Sequence, residues 1–176
     1  MQMQHRVRVV ALIFISWVVV ASSSLYFFGQ HYYGLFDQAG LWHSPASSEF
    51  AIERLGIASV SAKQVVHVTE VGCVCNRLAA EHRDLFTGTY QIPAERQFQL
   101  SAEHLQAAGF TLPAAPAVLI FEHGQLIYAG PYATGPLCSV DDSLIAPILR
   151  NTLQLPGLWL NGEVKACRCL VTPRLK

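Results

Sequence analysis

"VVHVTEVGCVCNRLAAEHRDLF", Val65 to Phe86, changes from one backbone habit to another and sets two thiols at the change. Val65 to Thr69 is a β-branched run, short enough for a buried strand. From Val74 to about Phe86, Leu78, His82, Leu85 and Phe86 recur on one helical face, and Gly88 follows as a stop. Cys73 then falls at or just before the first helical turn, with Cys75 two residues on. Unpaired backbone N–H groups and the positive end of the helix dipole favour a thiolate there. The thiolate is the form that attacks disulfides or binds metal.

The flanking sequence supplies the rest of a sheet. "RQFQL" (Arg96 to Leu100) alternates as a strand should, and Ser101 caps a short helix with Leu105 and Ala108 inward and Gly109 at its end. "AVLIF" (Ala117 to Phe121) is a second buried strand. "EHGQ" makes a tight turn, and "LIYAG" (Leu126 to Gly130) returns antiparallel. A final helix is expected from about Val140 to Leu153, with Leu144, Ile145, Ile148 and Leu149 as its apolar side. A short helix is expected to start upstream, at Ser47 or Ser48, with Phe50 and Leu55 apolar. This order predicts an α/β sandwich with a mixed central sheet.

From Val65 to Leu153 the chain resembles the thioredoxin-like superfamily. The resemblance rests on "VVHVT", the cysteine pair at the next helix start, "APAVLIF" with Pro116 opening a strand, and the "HGQLIYAG" hairpin. It implies that Pro116 is a cis-proline facing the cysteines and shaping a substrate groove. The whole chain is also similar to small membrane-anchored thioredoxin-like proteins of unknown function. Thioredoxins separate their cysteines by two residues, so Asn76 stands where the second thiol would be. Gly72 replaces the usual Trp, and His67 replaces the buried acid.

Val9 to Phe28 contains no charged residue and as a helix is about 30 Å long, enough to cross a bilayer core. Arg6 and Arg8 precede it and no Lys or Arg follows until Arg54. The charge bias leaves the N-terminus in the cytoplasm and sends the rest across, to the periplasm if the source is bacterial. The rival reading is a signal peptide cleaved after Ala21. Either way the thiols meet an oxidising compartment, where disulfides persist. The expected organisation is a cytoplasmic N-terminus (1–8), a transmembrane anchor (9–28), a linker (29–46), a thioredoxin-like domain (47–155) and a cysteine-containing tail (156–176).

The formal net charge is zero, which gives no basic surface for nucleic acid. No finger-type zinc spacing, phosphate loop or GxSxG elbow occurs, and no cofactor is expected. The expected partners are the membrane, through residues 9–28, and a protein thiol or disulfide.

Cys73 is the expected nucleophile and Cys75 its resolving partner, with a strained, easily reduced bridge between them. Such a pair suits a thiol–disulfide oxidoreductase or isomerase-like protein. The alternatives are a soft-metal (copper) site on Cys73 and Cys75, and a non-catalytic domain stapled by its cysteines.

Cys138 is expected near the same end of the sheet as Cys73. Residues 154–167 span up to about 45 Å extended, far enough to bring "CRC" (Cys167 to Cys169) back to that end. These three cysteines read either as an auxiliary relay or as a structural disulfide of Cys138 with Cys167 or Cys169. His67 reads as a hydrogen-bonded core residue, or alternatively as a proton acceptor for a thiol. His82 reads as packed, and His31, His43, His104 and His123 as loop or surface residues.

Overall fold

The computed structural model describes residues 2–42 and 50–171, with backbone alone at residues 2–4 and 30. It divides into two compact units after His31. The first is carried by helix α1 (Gln2–Tyr32), whose stretch His5–Gly29 is long and apolar enough to cross a membrane. Large apolar side chains stand exposed along it, from Val7 to Phe28.

The second unit begins with β1 (Tyr33–Leu35), followed by a 3₁₀ turn (Ile52–Leu55), β2 (Gln64–Thr69), α2 (Cys75–Leu78) and α3 (Ala80–Gly88). Then come β3 (Gln97–Ser101), α4 (Ala102–Ala107), β4 (Ala114–Ala115), β5 (Ala117–Glu122) and β6 (Gln125–Gly130). The chain closes with α5 (Ala146–Leu149), β7 (Trp159–Leu160), β8 (Lys165–Cys167) and β9 (Cys169–Leu170).

The five-stranded sheet has the order β3-β2-β5-β6-β7. Strand β2 runs parallel to β3 and antiparallel to β5, β5 pairs antiparallel with β6, and β6 runs parallel to β7. The sheet is therefore mixed. Strict alternation sends Val66, Val68, Leu119 and Phe121 into one core and Val65, Val118 and Ile120 into the other. Phe36, Ile52, Leu105 and Phe110 complete the first core; Phe86, Tyr132, Ile145 and Ile148 complete the second. Helical elements thus cover both faces of a doubly buried sheet, which explains the near-continuous apolar runs of β2 and β5. His123 and Gly124 both take positive φ, the backbone a two-residue hairpin turn demands.

Several expected elements differ. The helix expected over 140–153 is a 3₁₀ turn (Val140–Asp142) and the single turn α5. Pro147 has no N–H to give a preceding turn, so it sits at the start of α5 rather than inside a longer helix. The helix expected over 74–86 is divided between α2 and α3 at Ala79. The expected linker 29–46 is structured where described: α1 runs on to Tyr32, β1 pairs with β8, and Phe36 and Asp37 are buried. The tail 156–176 likewise enters the fold through β7, β8 and β9. The helix start expected at Ser47 or Ser48, and His43, lie outside the described residues.

Candidate functional site: a four-cysteine cluster

The short apolar strand β2 ends at Thr69, and Gly72, with positive φ, turns the chain so that Cys73 precedes α2 and Cys75 opens it. The tail approaches from the other side. Strand β8 lies between β1 and Gly135, which accepts from the Cys167 N–H at 3.2 Å. The Arg168 N–H then donates to the Tyr32 carbonyl at 2.8 Å. Strand β9 pairs antiparallel with β4, Cys169 opposite Ala115, and the Val171 N–H donates to the Pro113 carbonyl at 3.0 Å.

These placements bring "CVC" and "CRC" face to face. Cys73 is disulfide-bonded to Cys169, with Cα atoms 5.9 Å apart, and Cys75 to Cys167, with Cα atoms 5.7 Å apart. The expected Cys73–Cys75 bridge is thus replaced by two bridges between the motifs. The reason is the approach of the tail, which offers each thiol a partner at ordinary disulfide spacing without closing a very small ring. The sulfurs of Cys73, Cys75 and Cys169 all lie within 4.8 Å of one another. The possible metal ligand set is therefore wider than Cys73 and Cys75.

The two bridges differ in access. Cys75 and Cys167 are 0% and 2% exposed, whereas Cys73 is 7% exposed and Cys169 is half-buried. One bridge is sealed and the other forms the rim. Cys73 Sγ rests 3.6 Å from the carbonyl oxygen of Ala115, the residue joined to Pro116 by a cis peptide bond. Cys75 Sγ lies 3.7 Å from the Tyr32 carbonyl oxygen. Both sulfurs are oxidised and carry no proton, so these are packing contacts.

Cys138 belongs to the same core as Cys73, Cys75 and Cys167, yet it is a free thiol. The expected bridge from Cys138 to Cys167 or Cys169 does not form, because both tail cysteines are taken. Burial pushes the Cys138 thiol up to about 11, so at neutral pH it stays protonated and a poor nucleophile.

His67 is 5% exposed, and its Nδ1 lies 2.8 Å from the Tyr132 hydroxyl and its Nε2 3.3 Å from Gln97 Oε1. The Gln97 amide nitrogen donates to Thr87 Oγ1 and the Ile92 carbonyl, so its oxygen accepts. His67 therefore carries its proton on Nε2 and accepts from Tyr132 at Nδ1. Both nitrogens are committed, and neither is left to take a proton from a thiol. Burial holds His67 down at about 4. His82 is fully buried, with Nε2 2.9 Å from the Cys138 carbonyl oxygen, and burial lowers it too. His31, His104 and His123 are exposed.

From the sequence Arg168 reads as a solvated arginine of a basic tail, or alternatively as a charge that lowers the pKa of its neighbouring cysteines, yet it is only 2% exposed. Its Nη2 donates to Gln38 Oε1 at 2.7 Å, while Nε and Nη1 have no partner among the described residues. Burial lowers its pKa. The guanidinium fills the space beside Gly34, where a Cβ would come within 2.5 Å of Nη2. The pairing of a glycine in β1 with an arginine 134 positions later is not visible in local sequence.

No characterised protein and no solved structure matches the chain. Residues 44–171, which include all five cysteines, match the model of a domain of unknown function (DUF6436), and the chain belongs to that family.

Proposed function

We propose that this protein is a membrane-anchored thiol–disulfide exchange protein working outside the cytoplasm, with Cys73–Cys169 as its exchanging pair and Cys75–Cys167 as a staple. The observation that carries this reading is the difference between the bridges: one sealed, the other at the rim with Cys169 half-buried. A thioredoxin-like scaffold is supported by the mixed sheet, by Cys73 ahead of α2, and by cis-Pro116 beside it. The extracytoplasmic placement is supported by the apolar helix, by Arg6 and Arg8 at its start, and by the disulfides themselves.

A substrate thiolate attacks Cys73 Sγ, forming a mixed disulfide and releasing the Cys169 thiolate. The substrate's second thiolate attacks that mixed disulfide and leaves oxidised. Two electrons pass to the protein, and Cys73 and Cys169 become thiols. In reverse, Cys73 attacks a substrate disulfide and Cys169 resolves it. Cys169 thus takes the resolving role in place of Cys75.

The test uses the full chain in detergent and a small dithiol. Free thiols counted by alkylation should rise from one (Cys138) to three before any further increase, with Cys73 and Cys169 labelled first. Cys169→Ser should hold a dicysteine peptide on Cys73 as a stable mixed disulfide. A second reading, with both bridges as inert staples, is favoured by the low exposure of Cys73. Equal resistance of both bridges, with no mixed disulfide on Cys169→Ser or Cys73→Ser, would decide for it.

A further inference from the structure

The four clustered sulfurs leave a second state open, and a buried charge points to it. We propose that full reduction converts the two disulfides into a tetrathiolate site for a thiophilic d10 cation, zinc(II) or copper(I), with Cys73, Cys75, Cys167 and Cys169 as ligands. The inference shares one condition with the exchange reading, that the rim bridge can be opened, and is otherwise independent of it.

The ligand set is already assembled. Three of the sulfurs lie within 4.8 Å of one another, and the fourth, Cys167, is the bonded partner of Cys75. Tetrahedral zinc with Zn–S distances of about 2.3 Å needs sulfurs roughly 3.8 Å apart. Besides the disulfides, the tail motif is held beside Cys73 and Cys75 by the β1–β8 and β4–β9 pairings and by the hydrogen bonds of Arg168 and Val171. Sulfur-only ligation selects soft ions over calcium or magnesium.

Arg168 supplies the second observation. It stands between two of the proposed ligands in sequence, each neighbouring Cα about 3.8 Å from its own. It is buried, and its Nε and Nη1 find no acceptor among the described residues. A buried cation without a counter-charge is costly. In the disulfide state the sulfurs are neutral and offer it nothing. Four thiolates around zinc(II) carry a net charge of −2, opposite in sign to the Arg168 guanidinium, which is held beside Gly34 and Gln38. Arg168 is a positioning and charge-balancing residue in this scheme and touches no metal.

The electrons balance as follows. One external dithiol opens Cys73–Cys169 and leaves as a disulfide. The Cys169 thiolate, within 4.8 Å of Cys75 Sγ, then attacks Cys75. The Cys75–Cys167 bond breaks, a Cys75–Cys169 bond forms, and Cys167 leaves as a thiolate. A second dithiol opens Cys75–Cys169. Two dithiols become two disulfides, four cysteines gain four electrons, and metal binding displaces the protons of the ligand thiols.

The experiment takes the full chain in detergent, reduced anaerobically with excess dithiol that is then removed. Zinc(II) and copper(I) are added separately, and stoichiometry is read by native mass spectrometry with thiols counted in parallel. Expected are five thiols before metal, one ion per reduced chain in at least one arm, and none in the oxidised chain. Cobalt(II) in place of zinc should give the sulfur-to-metal charge-transfer intensity of four thiolates, a readout that needs no variant. Arg168→Met should keep the stoichiometry and weaken affinity about tenfold. Five thiols with no ion retained, or undiminished uptake by Cys167→Ser/Cys169→Ser, overturns this inference and leaves the exchange reading standing. A thiol count that never rises above one overturns both.

Discussion

Protonating His67 means breaking what holds it. Its Nδ1 accepts from Tyr132 and its ring packs edge-on to Phe86, 4.6 Å between centroids. Burial is the first cause of its lowered pKa, the hydrogen bond to Gln97 opposes the shift, and the charge of Arg83 adds to it. The folded value is about 4 against an ordinary 6.5, so between those pH values the unfolded chain binds the extra proton. Stability therefore rises with pH across this window. It is fully present above about 6.5 and is lost as pH falls towards 4. From pH 7.5 to pH 5 the expected loss is about 2 kcal/mol, at 1.36 kcal/mol per unit. Urea unfolding of the full chain in detergent at the two pH values measures it. His67→Gln should flatten the slope, leaving the smaller part that His82, lowered in the same direction, contributes. An unchanged slope in that variant would place the pH dependence elsewhere.

Strand β9 is two residues long, and apart from the rim bridge it is held by its β4 pairing and the Val171–Pro113 hydrogen bond. Strands β2 and β5 are six residues each and buried in the sheet. Opening Cys73–Cys169 should therefore raise amide exchange in a peptide covering residues 169–171 by more than tenfold while β2 and β5 stay protected. Equal protection of β9 before and after reduction would mean that backbone pairing alone holds the tail. The same contrast of element strength explains what could be read in advance. Strands β2, β5 and β6 and their hairpin were legible because alternation, β-branching and turn residues are local signals. The helix expected over 140–153 does not form in one piece because apolar spacing does not offset the cost of Pro147 inside it. Strands β1, β8 and β9 carry almost no local signal, being two or three residues whose partners are more than fifty positions away. The site suffers from the same distance. Cys73 and Cys75 announced themselves by position, but choosing Cys169 and Cys167 as partners requires knowing where the tail docks.

At the scale of the whole chain, the two disulfides close nearly the same loop, with sequence separations of 96 and 92. In the chain-entropy model either alone would constrain the unfolded state by about 4.7 kcal/mol. They are nested, however, so the second to form closes only a ring of about six residues, Cys73 to Cys75 and Cys167 to Cys169. That ring adds about 2 kcal/mol in the same model. Two independent bridges would contribute roughly 9 kcal/mol together, whereas the nested pair contributes about 7. The consequence is an uneven pattern of loss. Removing the rim pair, as Cys73→Ala/Cys169→Ala, should cost about 2 kcal/mol, and so should removing the sealed pair, as Cys75→Ala/Cys167→Ala, plus a packing cost for its buried sulfurs. Removing all four should cost about 7 kcal/mol, well above the sum of the two. Urea unfolding of the three variants and the parent, each as the full chain in detergent, gives the comparison. Losses of 4 to 5 kcal/mol for each pair, adding to the quadruple value, would show that the bridges act independently. The nested arrangement also bears on exchange at the rim: a chain that gives up Cys73–Cys169 keeps most of its cross-linking, so the domain can open that bridge and stay folded.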